Sequence, residues 1–195
     1  MGAEIVVLGR KRTGRRVELR LDGEAVSWAD LFYHRLRIGR SVLKVGGVAN
    51  VRTKREHRLK GYSRRVLERS IQVMTQDGRD VSLLFGIKNY YDKFGYRTAM
   101  SEYEVSLPGR MVADWPAGLK VRLLQGKEHR LVLPLYRRYL RRAALDLERE
   151  AGTWPGFLLG SSGAVLRVAV AGFYRGRRLV GYAVYDDEPD KVRVT

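Results

Sequence analysis

Residues 48–63, VANVRTKREHRLKGYS, decide the architecture of this 195-residue chain. Upstream, the valine-rich run Val42–Thr53 predicts a buried strand that carries a bulge at Gly46-Gly47. Downstream, apolar residues recur at helical spacing over Gly61–Gln76, and Asp77-Gly78 provides a stop signal, so this run predicts a helix. The quoted stretch is therefore a strand-to-helix connection with a glycine at the helix N-terminus.

That glycine has a chemical consequence. It lets backbone N–H groups approach a ligand closely, and the unpaired donors of a helix N-terminus, together with its dipole, favour phosphate. The segment Arg52–Arg69 adds positive charge, because its eight basic side chains face only Glu56 and Glu68. These residues alone leave two interpretations open, an anion-binding loop and an ordinary turn with a solvated basic face.

The sequence on either side of this connection predicts an α/β order. Residues 16–20 alternate in polarity, Asp22-Gly23 is a two-residue turn signal, and Ala25–Tyr33 resumes the β pattern, so a hairpin is expected. After the helix, the apolar run Val81–Phe85 predicts a central strand with both faces covered, and Asn89–Phe94 predicts a brief helix. Two more strands are predicted, over Tyr96–Ala99 and Glu102–Leu107.

The rest of the chain predicts a second region. Residues 110–118 indicate a linker, Lys120–Leu124 a strand, Glu128–Ala151 a helix, and Leu166–Val194 two or three strands. No later helix completes an α/β unit, so we expect this region to pack against the first one or against another chain. The predicted domains are residues 1–109 and 119–195, joined by a linker over residues 110–118. The sequence leaves open whether the protein forms a homo-oligomer.

The composition predicts a strongly basic globular protein. Lysine and arginine total 38 against 21 acidic residues, a formal net charge of +17, which attracts anionic partners. The sequence contains no cysteine, no secretory signal and no run of about 20 apolar residues. These absences favour a soluble, cytoplasmic protein with no membrane partner. The three histidines lack metal-site spacing, so no metal is expected.

Two motifs resemble a known family. The loop Arg58-Leu59-Lys60-Gly61-Tyr62-Ser63 resembles the arginine-x-x-glycine-x-(glycine or alanine) loop of the GNAT acetyltransferases. Asn89-Tyr90-Tyr91-Asp92-Lys93-Phe94-Gly95-Tyr96 is similar to that family's tyrosine-bearing helix and the aromatic strand after it. The resemblance extends over about residues 16–108. It implies a GNAT-type mixed sheet with crossover helices, in which loop amides hold the pyrophosphate of acetyl-CoA.

The same resemblance assigns site residues. The strand end Val51-Arg52-Thr53 is expected to pair through its backbone with the pantetheine arm, and Asn89 to contact that arm. The pyrophosphate is expected to bind the loop residues Arg58, Leu59, Lys60, Gly61, Tyr62 and Ser63. Tyr91 matches the tyrosine that, in many family members, protonates the departing coenzyme A thiolate. The alternative role for Tyr91 is that of a core aromatic residue.

The sequence departs from the family at three points. Ser63 replaces a glycine or alanine, and its hydroxyl is expected to cap the helix. Arg55 stands where proline is common. The family's first strand and the helices after it, which should precede the hairpin at Arg16, are missing, so the chain is shortened, divergent or completed elsewhere.

The second region carries a resemblance of its own. Val121-Arg122-Leu123, the helical stretch to Trp154 and the hairpin Phe173–Tyr185 are similar to the opening of a second GNAT-type domain. Such an arrangement occurs in the tandem-domain subgroup related to the enhanced-intracellular-survival (Eis) acetyltransferases. The resemblance implies a partial domain that lacks a cofactor motif of its own.

The sequence therefore predicts an acetyl-CoA-dependent N-acetyltransferase that transfers the acetyl group directly to an amine of unidentified type. The sequence does not identify the general base that accepts the proton of the amine. Water or a nearby carboxylate is expected to take this role. The alternative is a noncatalytic GNAT-like binding module for coenzyme A, a protein or nucleic acid. A dedicated nucleic-acid-binding protein is less favoured, because no known nucleic-acid motif is present.

Overall fold

The computed structural model describes residues 2–10, 14–87, 89–99, 118–143, 145–148, 168–187 and 192–194. It has two compact units, Met1–Ser101 with Ala144–Glu148, and Glu102–Ala143 with Arg149–Thr195. Each unit contains one β-sheet. No helix within these described ranges is long and apolar enough to span a membrane.

The described strands and helices follow the chain in a simple order. They are β1 (Ala3–Arg10), β2 (Gly14–Leu21), β3 (Glu24–Ile38), β4 (Ser41–Thr53), α1 (Tyr62–Gln76), β5 (Val81–Leu83), β6 (Leu119–Leu124), α2 (Leu133–Leu140), β7 (Leu145–Glu148), β8 (Val168–Arg175), β9 (Arg178–Asp187) and β10 (Val192–Val194). The first sheet has the order β1-β2-β3-β4-β5, and β7 also pairs with β3. Among the described strands of this sheet, only β4 and β5 pair in parallel, across the α1 crossover, which makes a mixed sheet.

The predicted hairpin is confirmed as β2 and β3. Its turn residues have positive φ, 49° at Asp22 and 85° at Gly23, as a two-residue hairpin turn requires. β1 precedes the hairpin and pairs along β2, so a strand does lie ahead of Arg16, where the sequence predicts that the family's first strand and helices are missing. β1 ends at Arg10 and β2 begins at Gly14.

The bulge of β4 lies at Asn50 and Val51, not at Gly46-Gly47 as predicted. Both glycines pair regularly with β3, whereas the register shifts where Asn50 and Val51 lie opposite Ala29. Gly46 instead makes room for α1, because a Cβ at this position would collide with the Sδ atom of Met74. The glycine pair therefore reflects helix packing and not an interruption of the strand.

Helix α1 confirms the predicted amphipathic run and covers one face of the first sheet. Its buried residues are Val66, Leu67, Ser70, Val73 and Met74. They pack with buried sheet residues that include Val17, Leu19 and Leu31. At the helix end, Asp77 accepts hydrogen bonds from Arg15 Nε at 3.0 Å and from the Tyr33 hydroxyl at 2.7 Å. These bonds attach the end of α1 to β2 and β3.

The segment after α1 differs from its prediction. β5 covers only Val81–Leu83 and is half-buried, and Phe85 is 90% exposed, so the prediction of a strand over Val81–Phe85 with both faces covered is wrong. Among the described strands, β5 pairs with β4 alone. The brief helix is reduced to a 3-10 turn at Asp92–Phe94. Tyr96–Ala99 does not form the predicted strand, and Glu102–Leu107 lies outside the described residues.

The second unit contains an antiparallel sheet in the order β10-β9-β8-β6. β6 and the three C-terminal strands confirm their predictions. Within the described residues, the helix predicted over Glu128–Ala151 is confirmed only as α2, because a 3-10 segment (Gly126–Val132) precedes α2 and β7 follows it. β7 pairs with β3, so residues 144–148 belong to the first unit, whereas the sequence pattern places them in the second.

Candidate functional site

β4 and β5 separate beside the strand end that leads into the glycine loop. Their parallel pairing runs only from Val45 opposite Val81 to Gly47 opposite Leu83. β4 continues to Thr53, and none of the described strands pairs with this edge of it beyond Gly47. Within the described residues, this part of β4 is therefore an open edge of backbone donors and acceptors.

This open edge presents the N–H groups of Val51 and Thr53. The N–H of Lys54 donates to the Val26 carbonyl of β3 at 2.9 Å. Successive residues of an extended chain direct their backbone groups to alternate sides, so Thr53 and Val51 point away from β3 and Arg52 points toward it. Two of the three predicted pantetheine positions thus lie on an edge that can accept an extended ligand, while the backbone of Arg52 faces β3.

Two residues with positive φ shape the connection to α1. They are Leu59, at 62°, and Gly61, at 76°, and Gly61 is the N-cap residue. No side chain caps α1, and its first hydrogen bond runs from the Arg65 N–H to the Gly61 carbonyl at 3.2 Å. The N–H groups of residues 62–64 consequently have no partner within the helix. No atom lies within 4 Å of a Cβ built on Gly61, so the space beside the N-cap residue is open.

The loop and the first turn of α1 carry exposed cations. They are Arg52, Arg55, Arg58, Lys60, Arg64 and Arg65. None of them forms an ion pair with a carboxylate in the described part of the chain, whereas Lys54 pairs with Glu24. Arg58 also donates through Nε to the Thr53 carbonyl at 3.3 Å, beside the strand end. The unpaired charge and the helix dipole together favour an anion at this N-terminus.

The structure brings the glycine loop and the tyrosine segment together. The hydroxyls of Ser63 and Tyr90 share a hydrogen bond of 3.1 Å. The expectation that Ser63 caps α1 is therefore wrong, because its hydroxyl faces the tyrosine segment instead. Tyr90 also lies beneath the Lys93 ammonium, whose Nζ is 4.2 Å from the ring centroid. These contacts fix the position of the tyrosine segment beside the helix N-terminus.

Tyr91 is half-buried between Tyr90 and Tyr96. Its ring makes edge contacts with both, at centroid separations of 4.9 Å and 6.0 Å, and a Cβ on Gly86 would collide with it. No residue in the described ranges forms a hydrogen bond with the Tyr91 hydroxyl. Burial, and secondly the charge of Tyr90, raise the pKa of Tyr91 above its ordinary value. The hydroxyl therefore keeps its proton at neutral pH and is able to donate it.

The structure gives less support for a ligand contact at Asn89 than for a proton-donor role of Tyr91. It is an exposed turn residue with a φ of 63° directly before Tyr90, and it makes no hydrogen bond to another described residue. Its contact with the pantetheine arm stays a prediction. For metals, the described residues contain no group of three or more ligating side chains.

Sequence reasoning missed a polar chain on the sheet face opposite α1. Asn50 Nδ2 donates to Asp30 Oδ2 at 3.0 Å, and Arg16 donates to Asp30 Oδ1 at 3.1 Å. Buried Glu18 accepts from both Arg16 and Arg20 at 2.7 Å. The spacing of Arg16, Glu18 and Arg20 places them on one strand face and was the available signal. The link to Asn50 depends on the bulge and was not visible in the sequence.

Comparison with known proteins supports this geometry. Residues 8–99 match the family described as acetyltransferase (GNAT) domain, and no curated protein matches the chain. The structure is similar to a GCN5-related N-acetyltransferase from Anabaena variabilis, with a TM-score of 0.67 and 14% identity over 92% of this chain and 47% of that one. A GCN5-related N-acetyltransferase from Kribbella flavida gives a TM-score of 0.61 and 16% identity over 92% and 44%. The Eis protein from Mycobacterium abscessus gives 0.59 and 16% over 95% and 53%.

The chain thus spans about half of the length of these three proteins. At such identities the likeness shows a shared fold, which confirms the predicted GNAT-type α/β architecture. The family match includes both the strand-loop-helix connection and the tyrosine segment, which lie in the first unit. Residues 8–99, the part of the chain that the family model matches, therefore lie in a unit with the GNAT-type fold.

Proposed function

We propose that the first unit is an acetyl-CoA-dependent N-acetyltransferase that transfers the acetyl group directly to an amine. One observation carries the proposal: the open edge of β4 runs through a cationic loop into the uncapped N-terminus of α1. These two features match the two parts of one molecule, because coenzyme A joins an amide-containing arm to a pyrophosphate. No other pair of described features offers both kinds of site in sequence.

Each binding residue has a defined task in this proposal. The N–H groups of Val51 and Thr53 pair with the pantetheine arm as with an added strand. The amides of residues 61–64 hold the pyrophosphate, and Arg58 and Lys60 supply positive charge beside it. Arg52 contributes through its side chain, since its backbone faces β3.

The reaction requires a proton donor and two positioned reactants. A neutral amine attacks the acyl carbon, the C–N bond forms as the C–S bond breaks, and the departing sulfur takes the proton of Tyr91. The proton of the amine passes to water or to a nearby carboxylate. Positioning supplies most of the acceleration, and general-acid assistance by Tyr91 adds up to about 10²-fold, at the lower end of what positioned acids supply.

We extend the proposal to the second unit as a partial GNAT-like domain that does not bind acetyl-CoA. Its support is the shared fold with the Eis protein over 95% of this chain. In addition, α2 follows a 3-10 segment directly and has Val132 as its N-cap, so it lacks the glycine loop that precedes α1. The proposal has four further parts, which rest on the sequence. They are kinship to the Eis-like tandem subgroup, an amine acceptor, a homo-oligomer and a cytoplasmic location.

Acetyl-CoA titration by calorimetry tests the proposal, with Gly61→Asp and Gly61→Asn as a matched pair. Asparagine and aspartate have nearly the same shape and both tolerate positive φ, but only aspartate places a negative charge where the pyrophosphate is expected. We expect micromolar to submillimolar affinity for the wild type, weakened binding for Gly61→Asn and loss of binding for Gly61→Asp. Equal affinities in all three folded proteins would exclude this loop as the binding site.

A second measurement separates the enzyme from a noncatalytic GNAT-like module. Free thiol release from acetyl-CoA is followed in the presence of a panel of primary amines and peptides. The proposed enzyme releases coenzyme A with at least one amine. A noncatalytic module binds acetyl-CoA but shows no amine-dependent release.

A further inference from the structure

We propose that Asp30 is a positioning residue, which holds Asn50 and thereby fixes the bulge that orients the open edge of β4. The inference rests on the proposed function, because it concerns the strand edge assigned there to the pantetheine arm. It concerns residues that lie outside the glycine loop and the tyrosine segment.

The bulge brings Val48 and Val51, three residues apart, to the same core face and leaves Asn50 on the other face. In a regular strand, Val48 and Asn50 would share the core face. Here Val48 is buried in the core, Val51 packs against the same core, and the Asn50 side chain bonds to Asp30 on the other face. Asn50 also has a φ of 51°, a conformation that asparagine tolerates better than most other side chains.

Asp30 is in turn held in place from β2. Its Oδ1 accepts from Arg16 while its Oδ2 accepts from Asn50, so both carboxylate oxygens are engaged. Arg16 is fixed by Glu18 and lies over the Trp28 ring, with its guanidinium carbon 5.1 Å from the centroid. A chain of charged hydrogen bonds thus runs across three strands and ends at the bulge.

The bulge determines which backbone donors face the open edge. With the extra residue present, the N–H groups of Val51 and Thr53 point away from β3. A shift of one residue would reverse this alternation and present Arg52 instead. Asp30 therefore acts on ligand binding through Asn50 and the backbone, without touching the ligand itself.

Two ligands report on the two parts of the site separately. Acetyl-CoA requires both the β4 edge and the glycine loop, whereas ADP has a pyrophosphate but no pantetheine arm and requires the loop alone. Calorimetry of both ligands is carried out on the wild type, on Asp30→Ala and on Asn50→Asp. Asn50→Asp keeps the shape and the tolerance of positive φ, but it replaces the hydrogen-bond donor by a second carboxylate facing Asp30.

We expect both variants to bind acetyl-CoA about tenfold more weakly than the wild type does. Their affinity for ADP should equal that of the wild type. The double variant Asp30→Asn with Asn50→Asp exchanges donor and acceptor, and is expected to recover most of the acetyl-CoA affinity. Glu148→Gln is the control, because it removes a carboxylate that also accepts from two arginines, at the far end of β3. It should change neither affinity.

The outcomes distinguish this inference from the proposed function. If the wild type binds acetyl-CoA but the variants retain its full affinity, or lose acetyl-CoA and ADP equally, Asp30 has no positioning role. Failure of the exchanged pair to recover affinity would also exclude the hydrogen bond as the cause. If the folded wild type does not bind acetyl-CoA, the proposed function fails first and this inference fails with it.

Discussion

The first sheet and the glycine loop use positive charge in opposite ways. In the sheet, five arginines each meet a carboxylate: Arg15 meets Asp77, Arg16 and Arg20 meet Glu18, and Arg35 and Arg37 meet Glu148. In the loop and the first turn of α1, six exposed cations meet none among the described residues. Paired charges satisfy one another within the fold, whereas clustered unpaired charges repel and are stabilised by an external anion.

The two neighbouring tyrosines show the same contrast. The Tyr90 hydroxyl is engaged by Ser63, while the Tyr91 hydroxyl has no hydrogen-bond partner in the described ranges. A polar group that is satisfied internally contributes to structure, and one that is left open is available to a ligand. The comparison therefore predicts which substitutions alter stability and which alter binding or turnover.

The largest effect, a loss of turnover, is expected for a substitution of Tyr91. Tyr91→Phe removes the proposed proton donor and should lower turnover, with an amine acceptor identified by thiol release, by about 10²-fold or less, while acetyl-CoA affinity stays nearly unchanged. Tyr90→Phe is the internal control, since it removes a hydroxyl that is already bonded. A larger loss of turnover for Tyr90→Phe would show that the motif is misaligned by one residue.

Glu18 is expected to affect the stability of the fold and not the affinity for the ligand. Glu18→Ala leaves Arg16 and Arg20 without their shared buried partner and should lower the free energy of unfolding by about 2 kcal/mol. Urea denaturation followed by circular dichroism measures this change. An unfolding free energy equal to that of the wild type would mean that the paired charges of the sheet do not contribute to stability.

The loop cations should show the reverse behaviour. Replacing both Arg58 and Lys60 by alanine is expected to weaken acetyl-CoA binding by about tenfold, with a stronger effect at low salt. The free energy of unfolding should change by less than about 0.5 kcal/mol, because neither cation pairs with a described carboxylate. Loss of stability without loss of affinity would assign these cations to the fold.

The smallest predicted effect is the pH dependence due to Glu18. Burial alone would raise the pKa of Glu18, but hydrogen bonds from Arg20 and Arg16 outweigh it and lower this pKa below its ordinary value of 4.5. A lowered pKa in the folded state contributes stability above about pH 4.5, which is lost as the pH falls through the folded-state value. Unfolding measured from pH 6 to pH 3 should therefore be less pH-dependent in Glu18→Gln than in the wild type.

Much of the fold and part of the site were predictable from local sequence. The Asp22-Gly23 turn, the helical spacing of α1, and the glycine with its flanking cations each rely on neighbours within a few residues. The position of the bulge was not predictable, because Gly46 and Asn50 can both be accommodated in a bulge. Only the packing of Met74 against Gly46 shows which residue leaves the regular register.

Long-range pairing explains what the local patterns could not provide. Leu145–Glu148 fits a helical period as well as a strand, and its pairing with β3 determines the outcome, through contacts such as Arg35 with Glu148, 113 residues apart. Local propensity and charge were sufficient for the turn, for α1 and for a cationic loop with a glycine at the helix N-terminus. The tertiary structure alone decided where β5 ends, which part of β4 pairs with it, and the Asp30–Asn50 contact. Each of these depends on hydrogen-bond partners that are distant in the chain, and no short sequence window contains both partners.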